Sequence, residues 1–228
     1  MTGVKRGVRQ ARSGRPLAGR KRCYYPAVAR PLRLDLAIDE VDFVVLDAET
    51  TGLRPEHDHV LALGAVRVRG GRVSATDRFD RLVRPEGPIP AAATHVHGIT
   101  DGMVADAPPL DAVLRAFAAF AGDAVLVGHD LWFDLAFLRR EADRRGAPPI
   151  HAARTVLDTR WLSRALHGPG PSHELDVVAA RLGVGARGRH SALGDAVITA
   201  NVLVRLLGLA RAQGIATLGA VVRFAGGP

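Results

Sequence analysis

Residues 43 to 50 read FVVLDAET, and this octapeptide restricts the possible folds more than any other stretch of the chain. Four consecutive apolar residues fit a strand buried on both faces, so the segment is expected at the centre of a sheet. The same strand ends in two carboxylates, Asp47 and Glu49, one residue apart. Side chains alternate across a strand, so residues two apart share a face. At an effective dielectric near 20 and a separation of about 4 Å, two such charges repel by roughly 4 kcal/mol. Three things can offset that repulsion: a raised pKa in one acid, a nearby arginine, or a bound cation.

The chain around this strand alternates element types. The stretch HVLALGAVRVRGGRVSATDRFDRLVRP gives two partly alternating segments around Gly70-Gly71, a hairpin signal. LDAVLRAFAAFAG (110 to 122) has helical spacing and a glycine stop. AVLVGH (124 to 129) reads as a buried strand, and LWFDLAFLRREADRRG (131 to 146) as an amphipathic helix with a basic outer face. A strand is expected over 154 to 158, helices over 173 to 182 and 192 to 213, and a last short helix over 216 to 225. Three antiparallel strands followed by strands alternating with helices imply an α/β fold with a mixed sheet and helices packed on its faces.

Charge divides the chain. Residues 1 to 34 hold ten Lys or Arg and no acid, while the remainder is close to neutral, so the net charge of +8 belongs to a tail. Residues 1 to 38 are therefore expected to form a basic, disordered extension, and residues 39 to 228 one folded domain. Such a tail either adds sequence-independent affinity for phosphate backbones or is a solvated extension with no specific job. The single cysteine, Cys23, excludes a disulfide framework and any CxxC zinc site, which points to a reducing, cytoplasmic setting. No apolar run approaches the roughly 20 residues of a membrane span, so no membrane partner is expected.

Two further acids stand in apolar surroundings: Asp134 in LWFDLAFL and Asp195 in RHSALGDAVITANVLV. Each alone reads as an ordinary helix-start or solvent-facing acid. Four acids in apolar contexts cannot all be buried as charges without accompanying cations. Hard divalent cations take oxygen ligands, and a pair of them stabilises the attacking and leaving oxygens of a phosphoryl displacement. His190 lies five residues before Asp195, about 140° away on a regular helix, so the two converge only if His190 sits in the loop ahead of it. An imidazole there can take the proton of an attacking water near neutral pH.

The segments DAETTGL (47 to 53), GHDLWFDLAFL (128 to 138) and RHSALGDA (189 to 196) resemble the three motifs of the DEDDh family of 3′-5′ exonucleases. That family includes the proofreading epsilon subunit of bacterial DNA polymerase III and ribonuclease T. THVHGIT (94 to 100), LALGAVRV (61 to 68) and SHELDVVAARLGV (172 to 184) resemble its accessory segments, and the likeness runs in order over about 42 to 208. The resemblance is strongest to stand-alone, epsilon-like proteins.

The resemblance implies a ribonuclease-H-like fold with a five-stranded mixed sheet and two divalent cations, Mg2+ or Mn2+. By position, Asp47, Glu49, Asp134 and Asp195 would hold the ions, with Asp47 bridging them, and His190 would be the general base. Thr50, Thr51, Gly52 and Leu53 would hold the terminal nucleotide, Leu53 wedging against its base, and His97, His129 and Phe133 would line the same pocket. The implied substrate is single-stranded DNA at its 3′ end, released as nucleoside 5′-monophosphates, with a polymerase or repair complex as the possible partner. The alternatives are an exoribonuclease of the same fold and a non-catalytic nucleic-acid-binding or polymerase-associated module.

One departure from the family pattern falls in the second motif, where Asp130 replaces the more usual asparagine. That extra carboxylate could alter metal affinity. Trp132 and Trp161 read as packing residues and Asp158 as the cap of the following helix. An aspartyl-phosphatase reading of DxET needs a later lysine, and none follows Lys21. The short segment after the last long helix fits a free-standing nuclease, or one tethered through its basic N-terminus.

Overall fold

A computed structural model describes residues 34 to 145 and 155 to 226. The basic segment 1 to 33, Cys23 and His151 lie outside the described residues. Five strands form one sheet in the order β3-β2-β1-β4-β5. They are β1 (Phe43–Thr50), β2 (Val60–Arg69), β3 (Arg72–Leu82), β4 (Val125–Gly128) and β5 (Val156–Asp158). The first three pair antiparallel, and β4 and β5 add on parallel to β1. FVVL is thus the central strand, and Phe43 to Leu46 are all buried, as a run without alternation requires. β3 is one of the two edge strands, and its mostly exposed, charge-rich surface is what keeps that open edge from pairing elsewhere.

Alternate residues of β1 feed two cores. Phe43 and Val45 pack with Val66, Val125, Leu162, Val178 and Val202 on one face. Val44 and Leu46 pack with Leu114, Phe117, Leu135 and Leu138 on the other. The helices supplying these side chains are α3 (Leu110–Ala121) and α4 (Leu131–Arg145) on the second face. On the first face they are α5 (Thr159–His167), α6 (Leu175–Arg181), α7 (Ala192–Ala212) and α8 (Leu218–Ala225). The mixed five-stranded sheet with helices on both faces is therefore the architecture read from the chain.

Two short helices, α1 (Ala91–His97) and α2 (Asp101–Val104), have no counterpart in the sequence reading. Neither has a side-chain N-cap, and α1 buries no residue, so no apolar period marks them. α7 corrects another expectation: with 21 residues it is long and apolar enough to cross a membrane. Its apolarity serves burial instead, since Ile198, Val202, Leu203 and Leu206 are core residues against the sheet. Residues 34 to 38 also belong to the body: the amides of Leu218 and Gly219 donate to the carbonyls of Leu36 and Leu34, and Ile38 is buried.

Gly64 sets how closely α7 approaches. It is the cross-strand neighbour of Asp47 in β2, and a Cβ there would overlap the backbone joining Ala192 to Leu193 in the first turn of α7. The missing side chain lets that turn lie directly on the sheet.

Candidate active site

The pairing of β1 with β4 stops at Val45, so Asp47 and Glu49 project from a strand that has lost its parallel neighbour. They share the face of Val45, the face covered by α7. Ser191 caps α7 by accepting the Gly194 N–H, and the first turn carries Asp195, which is buried. Carboxylate oxygens of Asp47, Glu49 and Asp195 all lie within 4.8 Å of one another.

Asp134 arrives from the other face. It lies in the first turn of α4, 4% exposed, and its charge acts on Asp47 more strongly than that of Asp195 or Glu49. The start of α4 is fixed by Asp158 at the end of β5. The Asp158 carboxylate accepts the amides of Asp130 (3.3 Å), Leu131 (2.8 Å) and Arg160 (2.8 Å). Asp158 therefore caps α5, as its position after a strand predicts, and ties down the start of α4 as well.

Burial, then the neighbouring charges of Asp134, Asp195 and Glu49, hold the Asp47 carboxyl well above the usual carboxylate range. Asp134 is raised too, chiefly by burial, with the Ala48 N–H pulling the other way. Glu49 is pushed from 4.5 to about 7 by burial and Asp195. An arginine supplies the rest of the compensation. Arg189 places its guanidinium 2.5 Å from Asp195 Oδ2 and 2.5 Å from Asp176 Oδ1 on α6. Sequence reading missed this residue, which directly precedes the expected base. Asp195 Oδ1 remains buried without a hydrogen-bond partner. An all-oxygen donor set with an orphaned carboxylate oxygen fits a divalent cation.

The sign of the pH dependence follows. Glu49 binds its proton more tightly in the folded state, so between pH 4.5 and 7 the folded protein holds more protons than the unfolded chain. Stability in chelator is therefore expected to fall as pH rises through that window. Allowing for solvent screening of a half-buried group, Glu49 contributes about 2 kcal/mol to the fall. Thermal unfolding from pH 4.5 to 7.5 should show a slope that Glu49→Gln flattens. A divalent cation should recover the loss at pH 7.5. Equal slopes in wild type and variant would rule out this coupling.

The remaining expected residues are distributed unevenly. His190 lies in the loop before α7, exposed and with a left-handed φ of 62°, so the helical-wheel angle to Asp195 does not apply to it. Thr50 Oγ1 donates to the Gly52 carbonyl (2.6 Å), and Thr51 Oγ1 accepts the His59 amide (2.9 Å). A Cβ at Gly52 would meet the Asp58 carboxylate, which accepts the Arg54 amide, so the loop's own packing favours glycine here. Leu53 is 79% exposed and lines, with Phe133, a cleft of about 540 Å3. His97 accepts the Ile99 amide on Nδ1 and lies against the Thr50 backbone. His129 is held by the protein on both ring nitrogens, with the Thr159 hydroxyl at 2.9 Å and the His173 carbonyl at 2.8 Å.

Asp130 has a left-handed φ of 63°, a conformation that Asn and Asp tolerate better than other non-glycine residues. Its carboxylate pairs with Arg160, which also reaches Glu174 at 2.8 Å. The added acid is thus neutralised at the rim of the site. Trp132, read as packing, is 40% exposed and lines the cleft with Trp161.

The chain is similar to several known proteins. It is 47% identical over 188 residues to a DNA polymerase III subunit epsilon-like protein of Rhodobacter capsulatus, covering 81% of this chain and 26% of that protein. It is 38% identical over 168 residues to the PolC-type DNA polymerase III of Caldanaerobacter subterraneus, covering 74% of this chain and 12% of that one. The chain thus spans about a quarter or less of the length of these relatives. Among solved structures, exonuclease X in complex with 5′ overhanging duplex DNA is 26% identical. That match has a TM-score of 0.62 and covers 81% of this chain and 99% of that one. The nuclease domain of 3′hExo, a DEDDh family member bound to rAMP, has the same fold at 21% identity. Its TM-score is 0.67, with 76% of this chain and 94% of that one covered. The exonuclease family model matches residues 44 to 203, a span holding all four clustered acids and His190, and the chain belongs to that family.

Proposed function

We propose that this chain is a metal-dependent 3′-5′ exonuclease acting on DNA and releasing nucleoside 5′-monophosphates. The observation that carries this reading is the convergence of Asp47, Glu49 and Asp195 oxygens within 4.8 Å, with Asp134 buried beside Asp47. Asp47, Glu49, Asp134 and Asp195 would hold divalent cations of the magnesium class, Mg2+ or Mn2+. When bound, such ions stabilise the attacking and leaving oxygens at the phosphate and lower the pKa of bound water.

The chain's own residues supply binding and proton transfer. The loop from Thr50 to Leu53 holds the terminal nucleotide, with exposed Leu53 wedged against its base and Phe133 lining the same cleft. His97 supports that loop from behind. His190, free in solvent and immediately before α7, takes the proton of the attacking water. Arg189, paired with both Asp195 and Asp176, would release Asp195 to a bound cation with Asp176 still in place as its partner.

DNA is favoured by the likeness to exonuclease X, whose structure contains 5′ overhanging duplex DNA. Association with a replicative polymerase is favoured by the epsilon-like and PolC-type relatives. The test is a parallel digestion of matched DNA and RNA oligonucleotides, each with a free or a blocked 3′ end, with Mg2+, with Mn2+ and with chelator. The expected result is stepwise shortening of unblocked DNA only in metal. Faster digestion of RNA would reassign the substrate to RNA, and no digestion of either would leave the non-catalytic module.

A further inference from the structure

Trp132 and Trp161 are the only two tryptophans in the chain, and both stand in the cleft that Leu53 and Phe133 open. Burial does not explain them. Trp132 is 40% exposed, Phe133 36% and Leu53 79%, so large apolar side chains face solvent within one cleft. Isolated exposed apolar residues are ordinary, whereas a contiguous group on a concave surface marks a contact site. The Phe133 ring is held in place by Phe137, 5.1 Å between centroids. Beyond Trp161 a second cleft of about 440 Å3 shares Asp130 and Arg160 and runs on to Arg164 and Pro171. The two form one trough from the loop after β1, across the start of α4, to the far end of α5.

The chemistry of the trough is aromatic and cationic together. The Arg164 guanidinium lies 5.8 Å from the Trp161 ring centroid and makes no ion pair among the described residues. Arg160, beside it, is already neutralised by Asp130 and Glu174. Flat aromatic faces paired with an uncompensated cation suit stacked bases joined by phosphates, since every base offers a π-face and every linkage a negative charge. An apolar peptide would leave Arg164 without a counter-charge. The trough is also continuous with the acid site: Phe133 precedes Asp134, and Asp158 lies in its wall.

We propose that the single strand immediately 5′ of the terminal nucleotide lies in this trough, its bases on Trp132 and Trp161 and a phosphate on Arg164. The proposal rests on the nuclease reading for its polarity, and it makes the substrate a single-stranded 3′ segment several nucleotides long.

Because all tryptophan emission arises in the trough, binding can be read without catalysis. The probe is an eight-residue oligothymidylate with phosphorothioate linkages, titrated in chelator while tryptophan fluorescence and the anisotropy of a 5′ dye are followed. Saturable quenching is expected. Trp161→Leu and Trp132→Leu should each raise Kd about tenfold, and Arg164→Gln should lower the slope of log Kd against log salt by about one. The side chains are at the surface, so the melting temperature checks that each variant folds. Binding by anisotropy with no quenching, or variant Kd values within twofold of wild type, would overturn the proposal. Quenching without hydrolysis of ordinary DNA in Mg2+ would remove the nuclease reading and leave the trough; hydrolysis without quenching would do the reverse.

Discussion

Asp47→Asn is expected to lower the rate of 3′-end hydrolysis by about 1,000-fold while raising the melting temperature of the protein in chelator. Both effects come from one charge. Asparagine keeps the size of aspartate but offers no anion to the proposed cations, and losing such transition-state stabilisation costs rates of that order. In the metal-free protein the same charge is a burden, because burial, Asp134, Asp195 and Glu49 all oppose its ionisation. Removing it should stabilise by about 1 kcal/mol, or roughly 2–4 °C for a domain of this size. The pairing of lost activity with gained stability separates a metal cradle from a structural acid. A variant that keeps wild-type turnover, or that is both slower and less stable, would disprove the role given to Asp47. The readouts are single-turnover digestion of a 3′-labelled oligonucleotide and thermal unfolding in chelator.

Gly64→Ala is the second large effect, and it touches no acid. One added methyl group would overlap the Ala192–Leu193 backbone, and backbone cannot step aside as a flexible side chain does. The strain must be taken up by lifting the first turn of α7 from β2. Overpacking of this kind costs about 3 kcal/mol, at the upper end of the usual range. Lifting that turn moves Asp195 relative to Asp47, the strand partner of Gly64. A displacement of about 1 Å in a catalytic group costs on the order of 100-fold in rate. Residual activity measured well below the variant's melting temperature, with circular dichroism to confirm the fold, should show this loss. Full activity at full stability would mean that α7 does not depend on Gly64 for its seat.

Much of this arrangement was legible from residues alone because the signals were strong locally. The FVVL run needs burial on both faces, Gly70-Gly71 divides two strands, and α3, α4 and α7 carry apolar periods long enough to recognise. The four acids drew attention because each interrupts apolar sequence. What escaped notice depends on three-dimensional placement. Arg189 serves as counter-charge only because the loop from Gly188 to His190 runs through left-handed backbone and turns it inward. Trp132 reads as a packing residue in an apolar helix, yet at the start of α4 it is exposed and lines the cleft. α1 and α2 are too short, and α1 too exposed, to impose any period on the chain.

The order of the segments along the chain has a consequence for synthesis. Two acids of the proposed cutting centre leave the ribosome early with β1, and Asp195 arrives only with the first turn of α7. A nascent or prematurely terminated copy ending before Ala192 has three acids and no means of closing the cradle. On the proposed nuclease reading, cleavage of nucleic acid is therefore withheld until α7 has been made and has folded.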